Sequence, residues 1–443
     1  MKRDAAKFKY LIIGNSAGGI GAAEAIRLVD RRGTLAIVSD EPYPAYSRPL
    51  IAEYLADKCP LEKMLFRPVD FYDQNNIHTL LSKKVRRIDT EGHTIELESG
   101  ERIGWQKLLL ATGGLPVMPQ IEGIESEGVF TFTTLDDAKV IDQFLAKAER
   151  AVVIGGGLIG VSVTEALVKL GIEVTIVEME KRILGTILDE EASALAEEAL
   201  RQNGVSLITG HTVTQINSTK KMVSSITLDD GSIISTNLVI VAIGVQPRTE
   251  LVAKTGLRVN RGIMVNRYMA TSCPGVYACG DAAEAYDFIY GENRLTPIWP
   301  NAYLGGRTAG FNMAGIPTEY RGGTAMNSLT YFGLDIVTAG MVNPPDNSYE
   351  VLHQKSDHAY HKVVLKDGLV VGMVFAGDIE KSGIIFSLMK EGIKASDFKH
   401  TLIADDFSLA SLPEEIWRPR LQPTGAASPI TQPPEPEEAA VGD

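Results

Sequence analysis

One pattern occurs twice in this chain: a short apolar strand, a glycine-rich turn, a helix and a second strand. In the first copy, residues 10–13 read as a buried strand, 14–21 as the turn, 22–29 as the helix and 34–39 as the next strand. In the second, the strand is 151–154, the turn 155–160, the helix runs through Leu170 and the following strand covers 173–177. Two parallel strands joined by a helix need a right-handed crossover, so a duplicated unit of this kind predicts two parallel sheets in one polypeptide.

The remaining segments extend both halves in the same order. Strand-like runs at 94–97 and 108–111 are matched by runs at 225–228 and 238–242, and the halves end alike on Ala111-Thr112-Gly113 and Ala242-Ile243-Gly244. After Gly323 the glycine turns stop, and strands at 361–365 and 369–375 precede a helix from Lys381, which predicts a third, smaller α+β domain. A chain of 443 residues is too long for a single core, so this division is expected. From Arg418 onward Pro, Ala and Glu dominate, and such a segment cannot bury enough apolar surface to offset its ordering entropy. It reads as a disordered tail, with a Pro-rich docking peptide as the alternative.

Charge and cysteine usage narrow the function classes. With 43 basic against 56 acidic residues the net charge is −13, which disfavours nucleic acid or anionic membrane as a partner. No apolar run reaches the length of a membrane span. The run at 10–13 behind the basic amino terminus breaks at Gly14, so it forms no signal-peptide core. Cys59, Cys273 and Cys279 stand in no CxxC pair, so no zinc site, disulfide framework or redox dithiol is indicated, and a cytoplasmic location is expected. His353, His358 and His361 lack acidic or cysteine partners at ligand spacing and read as structural, so no metal is expected.

The second turn, Gly155-x-Gly157-x-x-Gly160, follows a strand, opens a helix and has Glu178 at the end of the next strand. The first glycine permits the tight turn, the second lets backbone approach a pyrophosphate, and the third lets the helix pack closely; the helix end supplies partial positive charge. Glu178 suits the ribose hydroxyls and repels a 2′-phosphate, which favours NADH over NADPH, although Lys181 and Arg182 beside it moderate that preference. The first turn, Gly14-Asn15-Ser16-Ala17-Gly18-Gly19, has Ser16 in place of the middle glycine, but Asp40 and Glu41 stand where a ribose partner belongs. A dinucleotide is expected there as well. The fold class is thus α/β, two Rossmann-like dinucleotide-binding domains, each three-layered around a parallel sheet, plus the α+β domain.

Two such fingerprints, together with Ala111-Thr112-Gly113 and Val276-Tyr277-Ala278-Cys279-Gly280-Asp281, resemble the FAD-dependent pyridine nucleotide-disulfide oxidoreductase superfamily across residues 9–320. Tyr46-Ser47-Arg48-Pro49-Leu50, Trp299-Pro300-Asn301-Ala302 and the 360–378 segment resemble its NADH:rubredoxin reductases and the flavin module of assimilatory nitrite reductase. The resemblance implies an FAD domain (1–115), an NAD domain (116–240), a return to the FAD domain (241–323), a C-terminal interface domain (324–417) and the tail (418–443). It implies that Gly14, Ser16, Ala17, Gly18, Gly19, Asp40, Glu41, Arg48, Val85, Ala111, Thr112, Gly113, Gly280, Asp281, Trp299 and Ala302 serve FAD, with Asp281 on the ribityl chain. Gly155, Gly157, Leu158, Ile159, Gly160, Glu178 and Gly244 would serve the nicotinamide coenzyme, and Glu165 would lie beside the nicotinamide.

Two departures bear on the reaction. Thiol reductases of the superfamily place a cysteine against the flavin near residues 47–50, and here there is none. Glu53 stands where many relatives carry a lysine close to the isoalloxazine; an ionised carboxylate there would lower the flavin potential, and an exposed helical glutamate without a role is the alternative. The expected activity is hydride transfer between NADH and FAD. Electrons would pass onward to a rubredoxin- or ferredoxin-like protein, to oxygen, or to an iron–sulfur subunit, with reversed flow to NAD also open. The C-terminal domain would support a homo-oligomer or hetero-complex. The competing expectation is a redox-sensing or scaffold flavoprotein whose bound cofactors regulate assembly.

Overall fold

The computed structural model describes residues 6–421, except residues 357 and 405. Its first sheet has seven strands, in the order Ile77–Leu80, Leu35–Val38, Ala6–Ile13, Arg102–Leu110, Thr94–Leu97, Val85–Asp89. The seventh, Val276–Ala278, comes back from far along the chain to lie parallel to the last residues of Arg102–Leu110. Tyr10, Leu11, Ile12 and Ile13 are buried at its centre. That strand begins at Ala6, earlier than its apolar run, because its more exposed outer half pairs with Ile103, Gly104 and Trp105. The sheet is not purely parallel: Val85–Asp89 and Thr94–Leu97 form an antiparallel hairpin at one edge.

The second sheet is parallel throughout, in the order Ser206–Thr209, Glu173–Glu178, Arg150–Ile154, Leu238–Val241, Val129–Thr131. Its central strands are near-continuous apolar runs because both faces are covered. Ile216, Val223 and Ile226 of an antiparallel three-stranded sheet pack on one face, and the helices Leu135–Leu145 and Leu158–Lys169 pack on the other. The third domain is a five-stranded antiparallel sheet built from Met326–Tyr331, Leu334–Gly340, Leu369–Ala376, Tyr360–Lys366 and Glu350–Lys355. The helix Ser382–Glu391 seats Ile385 and Leu388 against Val363, Met373 and Phe375 of that sheet.

Two expectations need correction. The first turn helix spans Ala17–Val29, starting five residues before the expected Ala22, so Gly18, Gly19 and Gly21 are helical rather than part of a long turn. Glycine is a poor helix former in isolation, but here contact overrides propensity. A Cβ on Gly21 would lie 2.5 Å from the Tyr303 carbonyl oxygen, and one on Gly306 would lie 1.9 Å from that of Gly18. The first turn helix and the return helix Trp299–Met313 therefore touch backbone to backbone. The second correction concerns the chain end: a helix at Glu414–Trp417 continues as a 3-10 turn over Arg418–Leu421, pinned where Arg420 pairs with Glu391 at 2.6 Å. Residues 422–443 of the expected tail lie outside the described residues.

Candidate functional site

The first turn is shaped by contacts that only glycine allows. Gly14 has φ +119° and donates its N–H to the Val38 carbonyl at 2.9 Å; a Cβ on it would lie 2.0 Å from the Ala111 carbonyl oxygen. This ties the turn to the Ala111-Thr112-Gly113 end of the neighbouring strand. Ser16 is the helix N-cap in extended conformation (φ −130°), a region open to any residue, which explains why serine replaces the usual glycine without strain. No side chain caps this helix and no acidic residue sits in its first turn. The helices Leu135–Leu145 and Glu190–Gln202, by contrast, are capped by Thr134 and Asp189 and carry acidic first turns. An uncapped helix start presents free N–H groups and positive potential to an anion.

Beyond the turn, the two carboxylates at the end of Leu35–Val38 have separate cationic partners. Asp40 pairs with the Arg248 guanidinium at 2.8 Å, while Glu41 pairs with Arg48 and accepts from the Tyr46 hydroxyl at 2.6 Å. Arg48 also donates to the Thr133 carbonyl at 3.0 Å. Val85 is buried at the start of its strand, beside a cleft lined by Asp40, Ser82, Lys84, Leu97 and Ser99. From the return segment, Gly280 adopts φ +69° and brings Asp281 toward Arg48; burial raises the Asp281 carboxyl above its ordinary range, and the arginine opposes that shift. Trp299 and Ala302 lie in the first turn of the return helix, with Trp299 edge-on to Phe66 at 5.0 Å.

Cys279 is fully buried in this region. A Cβ on Gly18 would come within 2.8 Å of its Sγ, and one on Gly305 within 3.4 Å of its Cβ. Burial, with the charge of Asp281 adding to it, pushes its thiol up to about 12. It is a small packing residue and a poor nucleophile. Cys59 and Cys273 are half-buried and unbonded to any other cysteine.

The second turn repeats the first. A Cβ on Gly155 (φ +107°) would lie 2.5 Å from the Ala242 carbonyl oxygen, and one on Gly160 would lie 1.9 Å from that of Gly155. Gly157 is the uncapped N-cap of Leu158–Lys169, and a Cβ there would meet open space, as would one on Gly244. Leu158 and Ile159 are half-buried in the first helical turn. Glu178 is held by backbone alone, accepting from the N–H groups of Gly156 (2.6 Å) and Glu180 (2.8 Å). Glu165 is no free surface residue: its Oε1 accepts from the Phe332 N–H at 3.0 Å and pairs with Lys169 at 2.8 Å. Glu53 is half-buried on the short helix Ile51–Leu55, which packs against Leu158–Lys169. His361 is buried against Phe375 with Nε2 2.8 Å from the Asp378 carbonyl, in keeping with a structural role.

Both turns fit a dinucleotide: each joins an uncapped helix start to a strand-end carboxylate. Residues 8–306 match the family model described as pyridine nucleotide-disulphide oxidoreductase. The chain belongs to that family. Residues 326–393 match the rubredoxin NAD+ reductase C-terminal domain. The chain is 29% identical over 415 residues to the NADH-dependent phenylglyoxylate dehydrogenase subunit epsilon of Aromatoleum evansii, covering 93% of this chain and 98% of that one. It is 29% identical over 394 residues to the nitrite reductase [NAD(P)H] of Bacillus subtilis, covering 88% of this chain but only 48% of that longer protein. The crystal structure of NADH:rubredoxin oxidoreductase from Clostridium acetobutylicum superposes with TM-score 0.73 at 25% identity, over 88% of this chain and 97% of that one. The cofactors of this family member are FAD and a nicotinamide coenzyme, and it is an oxidoreductase. Among the described residues no helix is long and apolar enough to cross a membrane.

Sequence reasoning missed three participants. Arg248 reaches Asp40 and Phe332 reaches Glu165 from distant segments, whereas Tyr46 reaches Glu41 from five residues away and stood inside a segment already singled out. Nothing local marks the other two.

Proposed function

We propose that this chain oxidises NADH through its bound FAD and passes electrons directly to a small iron protein or an iron–sulfur partner subunit, with no thiol relay. The observation that carries this reading is the state of the cysteines. Cys279 is buried and its thiol pushed up to about 12, and no cysteine occupies the Arg48–Leu50 segment or the Ile51–Leu55 helix. Flavins accept two electrons together and release them singly, which suits an exchange between a nicotinamide and a one-electron carrier.

The chain's own residues bind and position. The first turn, with Gly14 to Gly19, Asp40, Glu41, Arg48, Val85, Thr112, Gly113, Gly280, Asp281, Trp299 and Ala302, would hold FAD; the second, with Gly155 to Gly160, Glu178 and Gly244, would hold NADH. Glu165, braced by Phe332 and Lys169, would set the position of the nicotinamide, and Glu53 would set the charge near the flavin. The relative from Aromatoleum evansii is named as a subunit and has nearly the same extent as this chain, which supports a partner subunit docked on this polypeptide. With three cysteines and no pair among them, a cytoplasmic location is the reading we favour.

The test is NADH turnover against a panel comprising a rubredoxin, a [2Fe–2S] ferredoxin, oxygen, and disulfide or persulfide substrates. Turnover should be fastest with an iron protein and unchanged when the cysteines are replaced. Fastest turnover with a disulfide or persulfide, lost on replacing Cys59, would refute the proposal.

A further inference from the structure

We infer that the third domain presets the second glycine turn for NADH: Tyr331 and Leu184 fix the peptide carbonyls on either side of Gly157, and both are positioning residues for the coenzyme. The inference rests on the reading of the second turn as the NADH site.

The open end of that turn is Gly157, the extended N-cap of Leu158–Lys169, where a Cβ would meet nothing. The first bond of the helix runs from the Val161 N–H to the Gly157 carbonyl at 2.9 Å, so the N–H groups before it are the ones left for an anion. Where they point is decided by the carbonyls, because in a trans peptide the N–H lies opposite the C=O of the residue before it. The Gly156 carbonyl accepts from the Leu184 N–H at 2.8 Å, which aims the Gly157 N–H away from Leu184. Glu178 holds the Gly156 N–H at 2.6 Å. The Leu158 carbonyl accepts from the Tyr331 hydroxyl at 3.2 Å, which aims the Ile159 N–H away from that hydroxyl.

Both holders are themselves held. Leu184 is buried at φ +53°, a strained conformation for a bulky residue that persists only where its surroundings over-determine it. Those surroundings reach into the third domain: Ile183, Leu184 and Leu188 share one buried apolar cluster with Tyr331, Ile336 and Val342, and Asn343 donates to the Leu188 carbonyl at 3.2 Å. Tyr331 ends the strand Met326–Tyr331 at a two-residue hairpin loop, Phe332-Gly333, whose positive φ values of +50° and +84° match the twist of the paired strands. The Phe332 N–H bonds Glu165, two turns beyond Leu158 on the same helix. Burial, with the charge of Glu165 adding to it, raises the Tyr331 hydroxyl above its ordinary range, so it stays protonated and donates. Donors aimed before a ligand arrives bind it without the cost of ordering them.

The experiment follows flavin reduction after rapid mixing of the holoprotein with a range of NADH concentrations, which separates the NADH dissociation constant from the limiting rate. Tyr331→Phe deletes only the hydroxyl; it should weaken NADH about fivefold and leave the limiting rate within about twofold of wild type. Leu184→Gly keeps access to the left-handed conformation but loses the buried anchor, and should weaken NADH about tenfold. FAD content and thermal melting check that each variant is intact, and if Leu184→Gly fails to fold, Tyr331→Phe decides. Wild-type NADH affinity in Tyr331→Phe, whatever its melting temperature, would show that the hydroxyl serves only domain packing and overturn the inference, as would a loss confined to the limiting rate. Gly157→Val places its side chain only in the open space of the turn. Normal NADH affinity in that variant would instead reject the second turn as the coenzyme site, and the inference with it.

Discussion

The two glycine turns have the same skeleton but are finished differently. In both, the first glycine packs on the carbonyl at the end of a neighbouring strand, Ala111 in one and Ala242 in the other, and the last glycine packs on the first. Around the first turn, side chains supply the charge: Arg248 reaches Asp40 from a remote segment, and Arg48 with Tyr46 reaches Glu41 from a few residues along the chain. The return helix then packs its glycines against the turn helix. Around the second, Glu178 is held by the backbone N–H groups of Gly156 and Glu180, and a Cβ on Gly157 or Gly244 would face open space. A site covered by a helix from elsewhere in the chain retains its ligand, whereas one left open exchanges it. The difference matches a resident flavin and a coenzyme that comes and goes with each turnover.

The largest expected effects come from placing a methyl group in each turn. Gly14→Ala puts a Cβ at φ +119° about where the Ala111 oxygen lies, and Gly155→Ala does the same at φ +107° against Ala242. Each should cost about 3 kcal/mol or more locally. The outcomes should separate: Gly14→Ala is expected to be colourless, because the FAD site fails, and Gly155→Ala to remain yellow but be reduced by NADH at least about 100-fold more slowly. Flavin content and rapid-mixing reduction measure both. A Gly155→Ala protein reduced at the normal rate would abolish the division of labour between the turns.

Coenzyme choice offers a finer probe of the open site. In the proposed NADH site Glu178 would present a carboxylate where a 2′-phosphate would sit, while Arg182 and the exposed Lys181 lie within the same loop. NADH should reduce the flavin faster than NADPH, and Glu178→Ala should narrow that gap about tenfold by removing both a ribose partner and a repulsion. A wild-type preference for NADPH would show that the two cations govern the pocket.

The turns themselves were legible in the sequence because the last glycine of each packs on the first, Gly19 on Gly14 and Gly160 on Gly155, which leaves a local spacing. The start of the first helix was not, since Gly18, Gly19 and Gly21 mimic a turn locally, and the close contacts of Gly18 with Cys279 and Ala302 and of Gly21 with Tyr303 come from far along the chain. Glu165 was expected beside the nicotinamide from the family resemblance, and its brace by Phe332 joins residues 167 apart and leaves no local pattern. For the same reason the pairing of Arg248 with Asp40 and the docking of the third domain on the second escaped detection. That docking centres on Asp189, the N-cap of Glu190–Gln202, which pairs with Lys362 at 2.8 Å and accepts from the Tyr360 hydroxyl at 2.7 Å.

The Asp189 latch predicts a pH dependence of moderate size. Burial works against the charge, but Lys362 and Tyr360 outweigh it and hold the Asp189 carboxyl below its ordinary range. A carboxylate depressed in the folded state stabilises that state above its unfolded value, near 3.9, and the contribution disappears as pH falls through the lower folded value. Asp189→Asn leaves a buried lysine unpaired and should lower stability by about 3 kcal/mol at neutral pH, with a flatter acid limb than wild type. Urea unfolding followed from pH 7 to pH 3 tests this. Parallel acid limbs for the two proteins would remove Asp189 from the coupling between domains.

The smallest expected effect is the one that most sharpens the functional reading: replacing the cysteines should leave both half-reactions intact. Cys279 packs against Gly18 and Gly305 with a thiol pushed up to about 12, so at neutral pH it offers almost no thiolate to the flavin. Cys279→Ala removes one buried sulfur, and its cost, about 1 kcal/mol, should appear as a lower melting temperature rather than as lost turnover. Cys59 is the stricter case, because it lies half-buried only a few residues beyond the Ile51–Leu55 helix that carries Glu53. A flavin-replete Cys59→Ser protein should be reduced by NADH and reoxidised by an iron-protein acceptor at wild-type rates. Were reduction normal and reoxidation lost, the thiol would be the relay, and the closed first site would have to open to it. If both persist, electrons leave the bound flavin directly, and the acceptor must approach the protein near Arg48, Glu53 and Trp299.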